Sequence, residues 1–176
     1  TMASGISAYI SGILGLGNLV TTNSSACCTG TEAIITGFER IQSGKAKRML
    51  VGGCSDDGPY LWGGFDAMKV ITYKHNNTPE KASRPMSATA SGFVPGSGAG
   101  ALLFESLTSA TERGAKIYGE IVGGAMNAGG QRGTGSMTAP NNEAVQRCIK
   151  SAVENAGINA DEIDLINGHL TATIKD

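Results

Sequence analysis

The sequence predicts an α/β layered fold, and three observations carry that prediction. Short apolar runs of strand type alternate with longer segments whose apolar residues recur at helical spacing. One run, Arg48-Met49-Leu50-Val51-Gly52, has the length and continuous apolar character of a buried strand in an α/β protein. The 26 glycines, scattered without a collagen period, imply many tight turns and close approaches of backbone. Packing of small residues and a substrate tunnel lined by backbone both account for that load.

The elements follow in order. Residues 2 to 14 read as a buried amphipathic helix that Gly15-Leu16-Gly17 ends. This run lacks the basic start and cleavage site of a signal peptide. Residues 19 to 22 form a strand-like run leading into Asn23-Ser24-Ser25-Ala26-Cys27-Cys28. From residue 29 to 43, Ala33, Ile34, Ile35, Phe38 and Ile41 mark a helix that Gly44 closes. The strand at 48 to 52 comes next. Residues 55 to 92 are irregular, rich in Gly, Pro, Asn and Ser, with a short helix near 63 to 68. Residues 100 to 105 and 117 to 122 read as strands joined by a helix over 107 to 114. A loop over 123 to 140 precedes a helix over 141 to 156 that Gly157 caps, and residues 164 to 167 form a last strand feeding His169.

Composition narrows the function classes. A chain of 176 residues with 40% hydrophobic and 16% charged content suits one globular, soluble domain. A net charge of -1 gives nucleic acid no electrostatic support. No run approaches the roughly 18 apolar residues of a membrane span. Cys27, Cys28, Cys54 and Cys148 show neither metal-ligand spacing nor disulfide density, which points to no metal and a reducing cytoplasm.

Cys27 stands where a strand is expected to end and a helix to begin, among the small residues Ser24, Ser25, Ala26, Thr29 and Gly30. A helix start offers unpaired N–H groups and the positive end of the dipole, which favour the nucleophilic thiolate and can hold an oxyanion. A buried, inert cysteine is the alternative reading. Cys28 reads as packing against the helix body, and Cys54 and Cys148 as core. His169, in Asn167-Gly168-His169-Leu170-Thr171-Ala172-Thr173, follows an apolar strand, where open α/β sheets collect their active sites. A neutral imidazole there can donate to a thioester or enolate oxygen, and Thr171 and Thr173, two apart, can face one polar ligand. A structural histidine explains the same segment equally well. His75, in a polar turn, reads as a solvated loop residue.

Taken in order, these segments resemble the elongating β-ketoacyl-acyl-carrier-protein synthases. Ser25-Ala26-Cys27-Cys28-Thr29-Gly30 is similar to the nucleophile motif and Val51-Gly52-Gly53 to the strand after it. Ala82-Ser83-Arg84-Pro85 and Gly92-Phe93-Val94-Pro95-Gly96-Ser97-Gly98-Ala99-Gly100 resemble the glycine-rich stretch between the family's two halves. Arg113-Gly114-Ala115-Lys116-Ile117-Tyr118, Met137-Thr138-Ala139-Pro140 and the His169 segment complete the match. The resemblance implies a thiolase-like five-layer αβαβα fold, here incomplete. Residues 1–105 would be the end of the first half, carrying the nucleophile, and residues 106–176 the start of the second, carrying the first histidine motif.

It further implies decarboxylative Claisen condensation of an acyl thioester on Cys27 with malonyl-acyl-carrier protein, in fatty acid or polyketide-type synthesis. Cys27 would accept the acyl chain and supply part of the oxyanion hole through its N–H. His169 would stabilise the enolate, and Thr171 and Thr173 would bind the phosphopantetheine arm that the carrier protein brings, with no other cofactor bound. A cytoplasmic homodimer without nucleic-acid or membrane partners is implied as well. The family's second His, its Lys and its gating Phe would lie beyond Asp176, so the chain is expected to be a central fragment. Leu170 replaces a usual Gly, and Met86-Ser87, Ala90-Ser91 and Ser97 replace charged or aromatic residues, which removes expected ion pairs. The alternatives are a non-catalytic partner subunit, disfavoured by retention of Cys27, and a coenzyme A-dependent thiolase-fold acyltransferase, disfavoured by the His-x-Thr-x-Thr pattern.

Overall fold

The computed structural model describes residues 2–130 and 140–173. It holds two compact units, Thr1–Gly53 with Ala99–Met126, and Cys54–Gly98 with Asn127–Asp176. Met137, Thr138 and Ala139 of the quoted motifs lie outside the described residues.

In the first unit, α1 (Gly5–Leu14) ends at Gly15, whose φ of 61° is the left-handed cap that glycine adopts at least cost. The helix forms as expected but is not buried: Ile6, Tyr9, Ile13 and Leu14 are exposed, because no described element lies over its apolar face. After a single 3₁₀ turn, Ala26–Cys28, the chain runs through α2 (Thr29–Gln42) into β1 (Arg48–Ser55). β1 pairs with β2 (Gly98–Glu105). The pair is antiparallel: Lys47 accepts from the Ser106 N–H at one end, while Gly52 faces Gly100 and Ala101 at the other.

Close packing is seen at three glycines of this unit. Gly37 of α2 lies directly on Val51, Gly52 on the Gly100 carbonyl, and Gly53 would place a Cβ 3.3 Å from Gly30 Cα. Side chains at these positions would lift α2 from β1 and β1 from β2. Ile35, Ala46, Val51 and Ala110 form the small buried core around that contact.

Glu105 closes β2 with a carboxylate only 6% exposed. Arg113 donates to both its oxygens at 2.8 and 3.0 Å, Arg48 Nε donates to it, and Ser109 Oγ donates at 3.1 Å. The Arg113 guanidinium foremost, with Arg48 and Ser109, holds the Glu105 carboxyl down at about 2 against the opposing effect of burial. The same network ties β1 and β2 to α4 (Leu107–Glu112), whose N-cap Ser106 accepts from the Ser109 N–H at 3.3 Å.

The second unit carries α3 (Pro59–Ala67), which starts earlier than the expected 63 to 68 because Pro59 supplies a preset φ at its first turn. Phe65 packs edge-on against Phe93 at 4.8 Å, and Phe93 bridges to Ile71. α5 (Asn142–Ala156) is capped by the Asn141 side chain, which accepts from Glu143 N–H at 3.1 Å, and ends at Gly157 with φ 68°. Two of the residues at which ion pairs were expected to be lost make hydroxyl contacts: Ser91 with Thr72 at 2.6 Å and Ser87 with Thr89 at 3.0 Å. Among the described residues the buried Arg84 Nε has no hydrogen-bond partner.

Three expected strands, at 19 to 22, 117 to 122 and 164 to 167, are not strands among the described residues. Each has the apolar sequence of a buried strand, but a strand is defined by a ladder, and among the described residues the β1–β2 pair is the one ladder beyond the single Ile71–Phe93 bridge. Leu165 and Ile166 are accordingly 84% and 83% exposed.

Candidate active site

Cys27 occupies the middle of the 3₁₀ turn that leads into α2, with an exposed side chain. Ala26 before it takes φ 50°, a left-handed conformation that a residue with a Cβ enters only when its surroundings hold it there. The hold is polar. Ser25 N–H donates to Thr29 Oγ1 at 2.9 Å, Thr29 Oγ1 donates to the Ala26 carbonyl at 2.7 Å, and Cys28 N–H donates to Ser25 O at 3.1 Å.

A second layer fixes the first. Glu32, one turn into α2, accepts from Ser25 Oγ at 2.6 Å and from Asn23 Nδ2 at 2.9 Å, and Asn23 also donates to Thr29 O at 3.0 Å. The Ser25 hydroxyl and then the Asn23 amide hold the Glu32 carboxyl below the ordinary carboxylate range. The brace of Asn23, Ser25, Thr29 and Glu32 was absent from the candidate residues. Its signal was the Thr29-x-x-Glu32 spacing of a capping box, although here Glu32 reaches the preceding turn instead of the N-cap N–H.

The other cysteines depart from expectation. Cys28 is exposed, the last residue of the 3₁₀ turn and the N-cap of α2, which starts only at Thr29. Cys54, near the end of β1, is exposed, and Cys148 on α5 is half-covered; neither is core.

His169 lies in the second unit, exposed, on an irregular segment and not at the end of an assigned strand. Thr171 Oγ1 donates to Thr173 Oγ1 at 3.5 Å, so the two hydroxyls face the same way. Between them Ala172 is wholly buried with φ 62°, and its carbonyl accepts from the Gly92 N–H at 2.9 Å. Leu170 is half-exposed and lies beside Gly168. His75 is half-buried with Nδ1 3.4 Å from Thr78 Oγ1, in place of the solvated position expected. Among the described residues no group of His, Cys, Asp and Glu could hold a metal ion, and no helix is long and apolar enough to cross a membrane.

Residues 1–110 match the family model of the β-ketoacyl synthase N-terminal domain and residues 118–176 that of its C-terminal domain. The chain is 40% identical over 155 residues to 3-oxoacyl-acyl-carrier-protein synthase 2 of Rhizobium meliloti (strain 1021), covering 86% of the chain and 36% of that protein. It is 39% identical over 173 residues to synthase 1 of Escherichia coli (strain K12), covering 98% and 41%. The chain thus spans about two fifths of the length of the curated relatives it matches. A crystal structure of a β-ketoacyl synthase from Burkholderia phymatum STM815 superposes with a TM-score of 0.88 at 32% identity, over 96% of this chain and 40% of that one. A type II PKS ketosynthase, solved in complex with its acyl-carrier protein and bound to the hexaketide, gives 0.88 at 28%, over 98% and 42%. The fold is therefore part of the thiolase-like αβαβα arrangement, and the chain belongs to the β-ketoacyl synthase family.

Proposed function

We propose that this chain supplies the acyl-accepting cysteine and the first histidine of a 3-oxoacyl-acyl-carrier-protein synthase. The observation that carries the reading is Cys27, exposed in a braced turn at the start of α2 in a chain of this family. Attack of the Cys27 thiolate on an acyl thioester forms the acyl-enzyme and releases the carrier thiol. Backbone N–H groups at the helix start, Cys27's own among them, stabilise the tetrahedral oxyanion. His169 donates to the malonyl thioester oxygen as carbon dioxide leaves, and the resulting carbanion attacks the Cys27 thioester. Thr171 and Thr173 bind the phosphopantetheine arm of the carrier protein, the only prosthetic group the reaction needs. The partners are acyl- and malonyl-acyl-carrier protein and a second copy of the enzyme, in the cytoplasm.

The test is peptide mapping after brief exposure of the intact enzyme to an acyl-carrier thioester or to iodoacetamide. Both label Cys27. Equal labelling of Cys28, which is just as exposed, or protection of Cys27 would overturn the assignment.

A further inference from the structure

We propose that Gly92 and Ala172 are positioning residues that set the spacing of the Thr171 and Thr173 hydroxyls; this rests on the arm-binding reading above. In an extended strand two residues at this separation share a face but stand about 7 Å apart along the chain. Here their hydroxyls are 3.5 Å apart. Between them Ala172, with φ 62°, takes the segment out of the extended path.

Left-handed geometry is unfavourable for alanine, so something must hold it. Two features do. Ala172 is wholly buried, and its carbonyl accepts the Gly92 N–H at 2.9 Å. Gly92 is itself fixed by a rigid neighbour: Phe93 N–H donates to Val70 O at 3.0 Å and Thr72 N–H to Phe93 O at 3.1 Å. With φ at 131°, Gly92 occupies backbone space that side chains rarely allow. A Cβ there would lie 2.6 Å from Val70 O and 2.7 Å from Ile71 C and Thr72 N, all backbone atoms that cannot turn aside. The donor is therefore aimed by the Ile71–Phe93 bridge, and the threonine pair inherits that aim.

The experiment compares, in the intact enzyme, carrier-bound thioesters with a simple alkyl thioester that lacks the pantetheine arm. Gly92→Ala should raise KM for the carrier-bound substrates by about tenfold or more, as expected for a reacting group displaced by about an ångström. Turnover of the simple thioester and the rate of Cys27 alkylation should stay at the parent level. Ala172→Val, whose β-branched side chain disfavours the left-handed geometry, should raise the same KM. Equal losses toward both thioesters, or no change in KM in either variant, would overturn the proposal. Should Gly92→Ala not fold, replacing the Gly92 amide by an ester removes only the donor and carries the same expectation. Thr171→Val and Thr173→Val separate the two claims. If they leave KM unchanged, the arm-binding reading fails; if they raise it while Gly92→Ala does not, only the positioning role fails.

Discussion

The cysteine turn and the histidine loop solve the same problem with different materials. Each contains an alanine forced to positive φ, Ala26 before Cys27 and Ala172 between the two threonines. At the cysteine the strain is held by side chains: Ser25, Thr29, Asn23 and the Glu32 carboxylate form a connected polar brace. At the histidine it is held by burial of Ala172 and by one backbone hydrogen bond from Gly92. Hydrogen bonds to a carboxylate are stronger than neutral ones, so the first arrangement resists displacement better. A nucleophile must meet its electrophile at a fixed angle and distance, which suits the stiffer support. On the arm-binding reading proposed above, the histidine loop needs only its hydroxyl spacing preserved.

That contrast can be broken at several points. The largest effect is expected from Cys27→Ala, which on the proposed reading removes the acyl-accepting thiol and should lower condensation by about a thousandfold or more. Survival of acyl-enzyme, read by mass spectrometry, would mean that Cys28 or another thiol carries the chemistry. His169→Ala should lower malonyl decarboxylation by about a hundredfold or more while Cys27 acylation is largely retained. Carbon dioxide release at the parent rate would remove the histidine from the enolate step.

Glu32→Ala tests the brace itself. It should slow Cys27 acylation by about tenfold through misplacement of the turn, with decarboxylation in the second unit little affected. Stopped-flow acylation at the parent rate would show that the backbone alone holds Ala26.

The smallest effect is a pH dependence in Glu105, a structural carboxylate of the cysteine unit. Its folded value near 2 lies below its ordinary 4.5, so the unfolded chain binds the extra proton between those values. The stabilisation is therefore fully present above about pH 4.5 and is lost as pH falls toward 2. The gap in denaturant midpoint between parent and Glu105→Gln should narrow through that window. A gap that is constant with pH would mean the Arg48 and Arg113 contacts do not act through the carboxylate charge.

Much was legible in the sequence because it is local. Helix ends followed from the glycine caps Gly15 and Gly157, since each acts within one turn. Cys27 at the head of α2 followed from small residues preceding an apolar helical period, and the ordered motifs supplied the family. The burial of α1 and the three missing strands were misread for one reason. Apolar pattern states what a segment can cover, and only a partner in space decides whether it does. Cys28 was misread because a 3₁₀ turn and the first turn of an α-helix share the same sequence signals.

What the sequence by itself determined is the identity and order of the reactive groups and the helices that carry them. Tertiary structure alone decided how their backbones are held. Gly92 meets Ala172, and Glu105 meets Arg48, across long stretches of chain that no local pattern spans. Such contacts exist only once packing has brought distant backbone within hydrogen-bond reach, so the strain at Ala172 and the depressed Glu105 carboxyl are properties of the fold.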